Sequence, residues 1–217
     1  LWHIEEKVLL HKPIHRNQFG FRKGKSTEHA LSKTVNIIEK GLYQGQYVLG
    51  VFCDISGAFD NVTLASITSS MRDRGIDDSI IQWYDHFLQK RTARSTLGSA
   101  SAAIQPGKGA PQGGVLSAII AWNLVFDELL EIFDGHDSPI TAIGFADDET
   151  LLIMGIDIPS MYTTMQRALD HAQAWAQDHG LSFCPKKTMW KKRLAKPVDG
   201  EIMIRMYGGK REKYVRS

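Results

Sequence analysis

The chain lacks most of what would assign it to several common functional classes. It holds two cysteines, Cys53 and Cys184, among 217 residues. That is too few for a disulfide framework and gives no metal-type pair, so a reduced intracellular setting, cytoplasm and nucleus, is expected. Eight histidines are scattered without zinc-type pairing to cysteine. No apolar run reaches membrane-spanning length; the longest, Val115 to Phe126, is interrupted by Ser117 and Asn123. No secretory segment, internal repeat, low-complexity linker or glycine-rich dinucleotide fingerprint is present. These absences set aside secreted mini-domains, membrane spans, solenoids and nicotinamide enzymes.

What is there resembles an ordinary globular chain, 43% hydrophobic and 23% charged, long enough for one large domain or two small ones. Net charge is only +2, but it is uneven. From Leu181 onward basic residues dominate (Lys186, Lys187, Lys191, Lys192, Arg193, Lys196), and the preceding part is acidic. A basic segment beside an acidic body suits phosphate tracking, although a solvated tail would read the same way.

Periodicity organises the chain as α+β. A Gly-punctuated basic stretch, Gln18 to Thr27, leads into a helix expected from about Glu28 to Lys40. A strand then ends at Asp54, and a short helix closes at Gly75. Asp77-Asp78 is expected to cap the next helix. A small hairpin turns at Gly98-Ser99, and the loop from Pro106 to Gly114 feeds a helix expected from about Val115 to Phe133. Asp157 and Pro159 open an amphipathic helix running to Gly180, followed by strands within Leu181–Trp190 and Glu201–Met206.

The most telling segment is Phe145-Ala146-Asp147-Asp148, set between β-prone runs. It reads as a hairpin with two acids at its tip. Carboxylates ending buried strands are costly unless a cation or donor compensates them. Asp54, Asp147 and Asp148 together would make the hard-oxygen site that Mg²⁺ prefers, and that suggests two-metal phosphoryl transfer. Asp-Asp is also a common turn pair, so the reading depends on what else the chain carries.

The runs QFGFRKGKST, VFCDISGAFDNV, GAPQGGVLS, GFADD and LSFCPKKT, with YGG near the end, resemble the reverse transcriptase domain of non-LTR (LINE-type, Jockey-like) retrotransposons. The resemblance spans about Gln18 to Gly209, and the order of the blocks is more specific than any one of them. Ala118 stands where relatives often have proline. It implies a polymerase right hand, an antiparallel palm sheet packed against helices with fingers and little thumb. Fingers would be roughly 1–45 and 62–107, palm roughly 46–61 and 108–209, and 210–217 a basic tail.

By that resemblance Asp54, Asp147, Asp148 and the Ile55 carbonyl would hold two Mg²⁺ ions, with Mn²⁺ able to substitute. Lys187 would act near the site as a proton donor to pyrophosphate, with Lys186 the competing candidate. Ala58 and Phe59 would meet the incoming dNTP, Phe59 as a steric gate against a ribose 2′-hydroxyl. Gln112 and Gly113 would contact nucleotide and template, and Arg22 or Lys25 would hold the triphosphate, where guanidinium geometry suits phosphate. Tyr207, Gly208 and Gly209 would form the primer grip. The implied activity is RNA-directed DNA synthesis from an RNA template and a DNA primer, with no membrane and no redox cofactor. The alternative is a catalytically inactive nucleic-acid-binding fragment of such an element. An RNA-dependent RNA polymerase would be expected to carry a small polar ribose selector in place of Phe59.

Overall fold

Capping chemistry decides where the helices of this protein begin and end. The computed structural model describes residues 1–135, 138–185, 187–193, 203–205 and 211–213, the last ten of these (190–193, 203–205 and 211–213) by backbone only. In chain order the elements open with α1 (Trp2–Ile4), which runs into a π-helical turn at Glu5–Leu9, then α2 (Thr27–Tyr43) and β1 (Tyr47–Asp54). Next come α3 (Ala58–Asn61), α4 (Leu64–Arg74), α5 (Asp78–Gln89), β2 (Ala93–Leu97) and β3 (Ala100–Ile104). A second π-helical turn, Ser117–Asn123, precedes α6 (Leu124–Ile132), followed by β4 (Ile140–Phe145), β5 (Asp148–Gly155) and α7 (Ile158–Asp178). Strands β6 (Met189–Arg193), β7 (Met203–Arg205) and β8 (Arg211–Lys213) complete the described chain. Among the described residues no helix is long and apolar enough to cross a membrane.

The chain divides into two compact units, residues 1–14 with 57–126 and residues 15–56 with 127–217. The second unit is built on an antiparallel sheet in the order β4-β5-β1-β6. Leu49, Val51 and Cys53 alternate along β1 and are all buried, the pattern of a strand with a covered face. On the other face α2 crosses the sheet, its first turn capped where Ser26 Oγ accepts the His29 N–H. Gly41 permits that crossing, since a Cβ there would lie 2.6 Å from Val48 Cγ2. A cluster of Phe19, Ile143 and Leu152, with Ala30, Ile37 and Phe145 packed against it, joins helix to sheet through apolar burial. Helix α7 starts where Asp157 Oδ2 accepts the Ser160 N–H, with Pro159 in its first turn. It buries Met161, Met165, Leu169, Ala172, Trp175 and Ala176, an i, i+4 stripe.

The first unit is mostly helical. α4 is capped by Thr63, whose hydroxyl accepts the Ser66 N–H, and ends at Gly75 in the left-handed region. Asp77 stands at the N-cap of α5 without a side-chain cap bond; its carboxylate lies 3.8 Å from His3 Nε2 instead. The hairpin β2–β3 turns at Gly98 (φ 60°), and all ten of its strand residues are exposed. The helix expected from Val115 does start there, α-helical at Val115 and Leu116, then runs π-helical over Ser117–Asn123 and is α-helical again from Leu124.

Candidate active site

The acids of the second unit meet through strand register. Asp54 ends β1 directly opposite Asp148, which starts β5. Asp147 occupies the turn between β4 and β5. Ala146 in that turn has φ 56°, a left-handed conformation that costs an L-alanine roughly 1 kcal/mol or more. Gln18, wholly buried, holds it there. Its Oε1 accepts the Ala146 N–H at 3.2 Å and the Gly20 N–H at 2.8 Å, and its Nε2 donates to the Ala146 carbonyl at 3.2 Å. The neighbouring segment is stitched to β4: Phe19 N–H donates to the Gly144 carbonyl and Gly144 N–H to the Asn17 carbonyl. Gly20 lies so close that a Cβ would sit 2.1 Å from the Ala146 nitrogen, so this position tolerates only glycine unless the backbone moves.

A second loop brings a cation to the acids. The chain at 182–184 runs beside 54–56, with Cys184 N–H donating to the Asp54 carbonyl and Ser56 N–H to the Ser182 carbonyl, both at 2.8 Å. Ile55 pairs with Phe183 in this bridge, and its carbonyl is not spent on either of those bonds. Cys184 then turns the chain, its carbonyl accepting from Thr188 N–H and Oγ1. Lys187 is lifted by this turn and donates from Nζ to Asp54 Oδ1 at 2.9 Å. That contact raises the Lys187 pKa.

Burial pushes the Asp147 carboxyl above its usual range, Asp54 adds repulsion, and Lys187 offsets part of it. Asp148 is raised by burial, then by Asp147 and Asp54, again with Lys187 opposing. Carboxylates that repel one another when charged are what a hard divalent cation stabilises, so the donor set fits Mg²⁺ or Mn²⁺. Among the described residues no three His, Cys, Asp or Glu side chains are already drawn into a ligand set, and the Asp54 carboxylate is engaged by Lys187.

Glu149 is a functional-looking residue that sequence reading missed. It follows Asp148, so strand alternation turns it to the opposite face of β5. It is 1% exposed, neither carboxylate oxygen has a hydrogen-bond partner, and burial pushes its pKa up to about 8. A carboxyl so placed is protonated at neutral pH. Gln18 and Gly20 were also missed as supports of the acid turn. The only signal was their place in the QFG run.

Arg22 and Lys25 lie in the second unit and are turned onto their own loop. Arg22 donates to the carbonyls of His15 (2.7 Å) and Gln18 (3.3 Å). Lys25 donates to the Arg16 carbonyl and sits 4.4 Å above the Phe19 ring, and burial with neighbouring cations lowers its pKa to about 8.

The remaining predicted contacts lie in the first unit. Ala58 is buried; Phe59 is half-buried with its ring 5.8 Å from Trp122. The loop after β3 lies against this turn, with Ala110 N–H donating to the Phe59 carbonyl and Gly109 N–H to the Val62 carbonyl, both 2.7 Å. Gly109 has φ 80°, and a Cβ there would lie 2.7 Å from the Asp60 carbonyl oxygen. Gln112 is exposed and donates to Asp60 Oδ1 at 3.4 Å, while Gly113 (φ 78°) has open space around it. Lys186, Tyr207, Gly208 and Gly209 lie outside the described residues.

An antiparallel sheet with helices against it and carboxylates at a hairpin turn is the palm of a polymerase fold. Solved telomerases share it: apo telomerase from Candida tropicalis, truncated from its C-terminal domain, superposes with TM-score 0.64 at 11% identity. That match covers 97% of this chain and 45% of the telomerase. The Candida tropicalis telomerase in complex with a fragment of telomeric RNA gives TM-score 0.65 at 11% identity over 88% of this chain and 33% of that one. Residues 3–197 match the family described as reverse transcriptase (RNA-dependent DNA polymerase), and the chain belongs to that family.

Among curated proteins it is 29% identical, over 93% of its length, to a putative 115 kDa protein in the type-1 retrotransposable element R1DM of Drosophila melanogaster. It is 28% identical, over 81% of its length, to the RNA-directed DNA polymerase from mobile element jockey of the same species. The chain spans about a fifth (19%) of each relative.

Proposed function

We propose that this chain carries the polymerase centre of a non-LTR retrotransposon reverse transcriptase, adding dNTPs to a DNA primer along an RNA template. The observation that carries the reading is Asp54 facing Asp148 across β1 and β5, with Asp147 on a turn braced by Gln18 and Gly20. Asp54, Asp147, Asp148 and the Ile55 carbonyl would hold two divalent ions, Mg²⁺ with Mn²⁺ able to replace it. When bound, such ions acidify the primer 3′-hydroxyl and stabilise the negative charge of pyrophosphate.

The protein's own groups do the rest. The braced turn keeps the carboxylates from relaxing apart, so charge is pre-positioned for the displacement at the α-phosphate. Lys187 moves from Asp54 toward the leaving pyrophosphate and gives it a proton. Phe59, half-buried against Trp122, would meet the sugar and disfavour a 2′-hydroxyl. Gln112 and Gly113 lie where an exposed backbone can approach a base pair. Arg22 or Lys25 leaves its loop carbonyl partners to hold the triphosphate.

The test is primer extension on an annealed RNA template with Mg²⁺ or Mn²⁺, dNTPs against rNTPs, beside Asp147→Ala. Extension with dNTPs that the variant loses is expected. Extension that survives Asp147→Ala would remove the carboxylates from the mechanism.

A further inference from the structure

The second unit also holds a cavity of about 550 Å³ that the polymerase reading leaves unused. It lies between α2, the end of α6 and the first half of β4. β4 is an outer strand of its sheet, and the segment that pairs along its outer edge reaches only from Phe19 back to Asn17, whose Nδ2 donates to the Ala142 carbonyl at 2.7 Å. The cavity opens along Ile140 to Ala142, beside that last contact.

One wall is cationic. Arg16 is 74% exposed at its side chain and pairs with Asp134 through a single Nη2 contact of 2.6 Å, which leaves further N–H groups of its fork to donate. Lys33 donates to Asn17 Oδ1; burial lowers its pKa, and Arg16 lowers it further with Asp134 opposing. His15 accepts the Asn17 N–H at Nδ1 (3.2 Å), which puts its hydrogen on Nε2. That Nε2 lies 3.0 Å from Asp134 Oδ2, and the side chain is 7% exposed. Arg16 and His15 therefore share one carboxylate, Asp134, which also acts electrostatically on Lys33. Beside these groups the lining is apolar, with Ile37 one turn after Lys33 on α2 and Phe133 next to Asp134. A ligand that suits this lining carries an anionic group with several acceptor oxygens next to a weakly polar body.

We propose that this cavity is a second nucleic-acid contact, where Arg16 and Lys33 hold one backbone phosphate of a single strand and the adjoining nucleoside rests against Ile37. The proposal rests on the polymerase reading only for the identity of the polymer. A phosphodiester offers two oxygens, one for the remaining N–H groups of Arg16 and one for the Lys33 ammonium. The cavity and the acid turn sit on the same strand, with Ala142 five residues before Asp147, roughly 15 Å at extended spacing. A strand held at the cavity is thereby tethered within reach of the acids.

The experiment is fluorescence anisotropy of a labelled single-stranded oligoribonucleotide with the whole chain, across a salt series. Arg16→Gln/Lys33→Gln is compared with Lys40→Gln/Arg167→Gln, which removes the same charge from exposed positions of the same unit. The cavity variant is expected to weaken binding about tenfold and to flatten the salt slope by about 0.7, the share of one phosphate on a single strand. The control pair should leave both near the parent values. Equal weakening in the two doubles, or none in the cavity variant, would overturn the proposal.

Arg16→Gln alone, at an exposed side chain, repeats the comparison should the double variant melt early. Inorganic phosphate at matched ionic strength is expected to compete only weakly. If it displaced the oligonucleotide fully, the site would be one for free anions, and if poly-glutamate did so, one for acidic peptide. Primer extension by the parent separates the two readings. Parent extension with unaltered binding by the cavity variant sinks this inference alone; cavity-dependent binding without extension sinks only the polymerase reading.

Discussion

The two hairpin turns of this protein make an instructive pair. At Gly98, between β2 and β3, φ is 60°; at Ala146, between β4 and β5, φ is 56°. The first residue reaches that conformation freely because it is glycine. The second reaches it against its own preference and is held by two hydrogen bonds with Gln18, whose Oε1 also accepts the Gly20 N–H. All ten strand residues of the first hairpin are exposed, Leu97 at 87%; the second contributes both its strands to the central sheet. The strained, braced turn carries two carboxylates, and the relaxed, exposed one carries none. Strain that persists in a native structure has to be over-determined by its surroundings, and here the surroundings belong to a candidate active site.

The comparison can be broken most severely at Gly20. Gly20→Val would drive a side chain into the Ala146 backbone, 2.1 Å from the ideal Cβ, and displace the acid turn. Primer extension should fall at least about a hundredfold, the scale expected for misplaced catalytic groups. Activity near the parent level would show that the turn does not depend on this contact.

Gln18→Leu comes next. It removes the acceptor for two N–H groups and the donor to one carbonyl, and a cost of about 2–4 kcal/mol follows from buried groups left without this partner. Urea unfolding measures it, and extension should drop further than stability alone explains.

Glu149→Gln sharpens the comparison from the far face of β5. Glu149 has its folded pKa raised to about 8 from 4.5, so its favourable contribution is complete below about pH 4.5. It is lost as pH rises through 8. In EDTA the parent's melting temperature should therefore fall across that window, and the glutamine variant should show a flatter profile. Parallel profiles would place an undetected partner beside the carboxyl.

The smallest effect is expected at Gly98→Ala. Left-handed alanine costs roughly 1 kcal/mol locally, but an exposed hairpin can open without unfolding the rest. The global melting temperature should barely move, and a drop of many degrees would mean that the hairpin is integrated into the first unit.

Much of this architecture was legible along the chain. The α2 helix expected from Glu28 to Lys40 spans Thr27–Tyr43, and the acid hairpin has its strands at Ile140–Phe145 and Asp148–Gly155. Periodicity and capping are local signals, and they survive folding. The π-helical stretch Ser117–Asn123 was not legible, because nothing in an apolar run announces i→i+5 bonding. Asp77 was expected to cap α5 with its side chain and does not.

The sequence by itself determined which residues are candidates for the chemistry, because carboxylates at strand ends and the order of short motifs are properties of the linear chain. Only the tertiary structure decided how they are held. Gln18 braces a turn 128 residues away, and Lys187 reaches Asp54 across 133. Contacts at such separations arise from strand register and packing, which no local preference encodes.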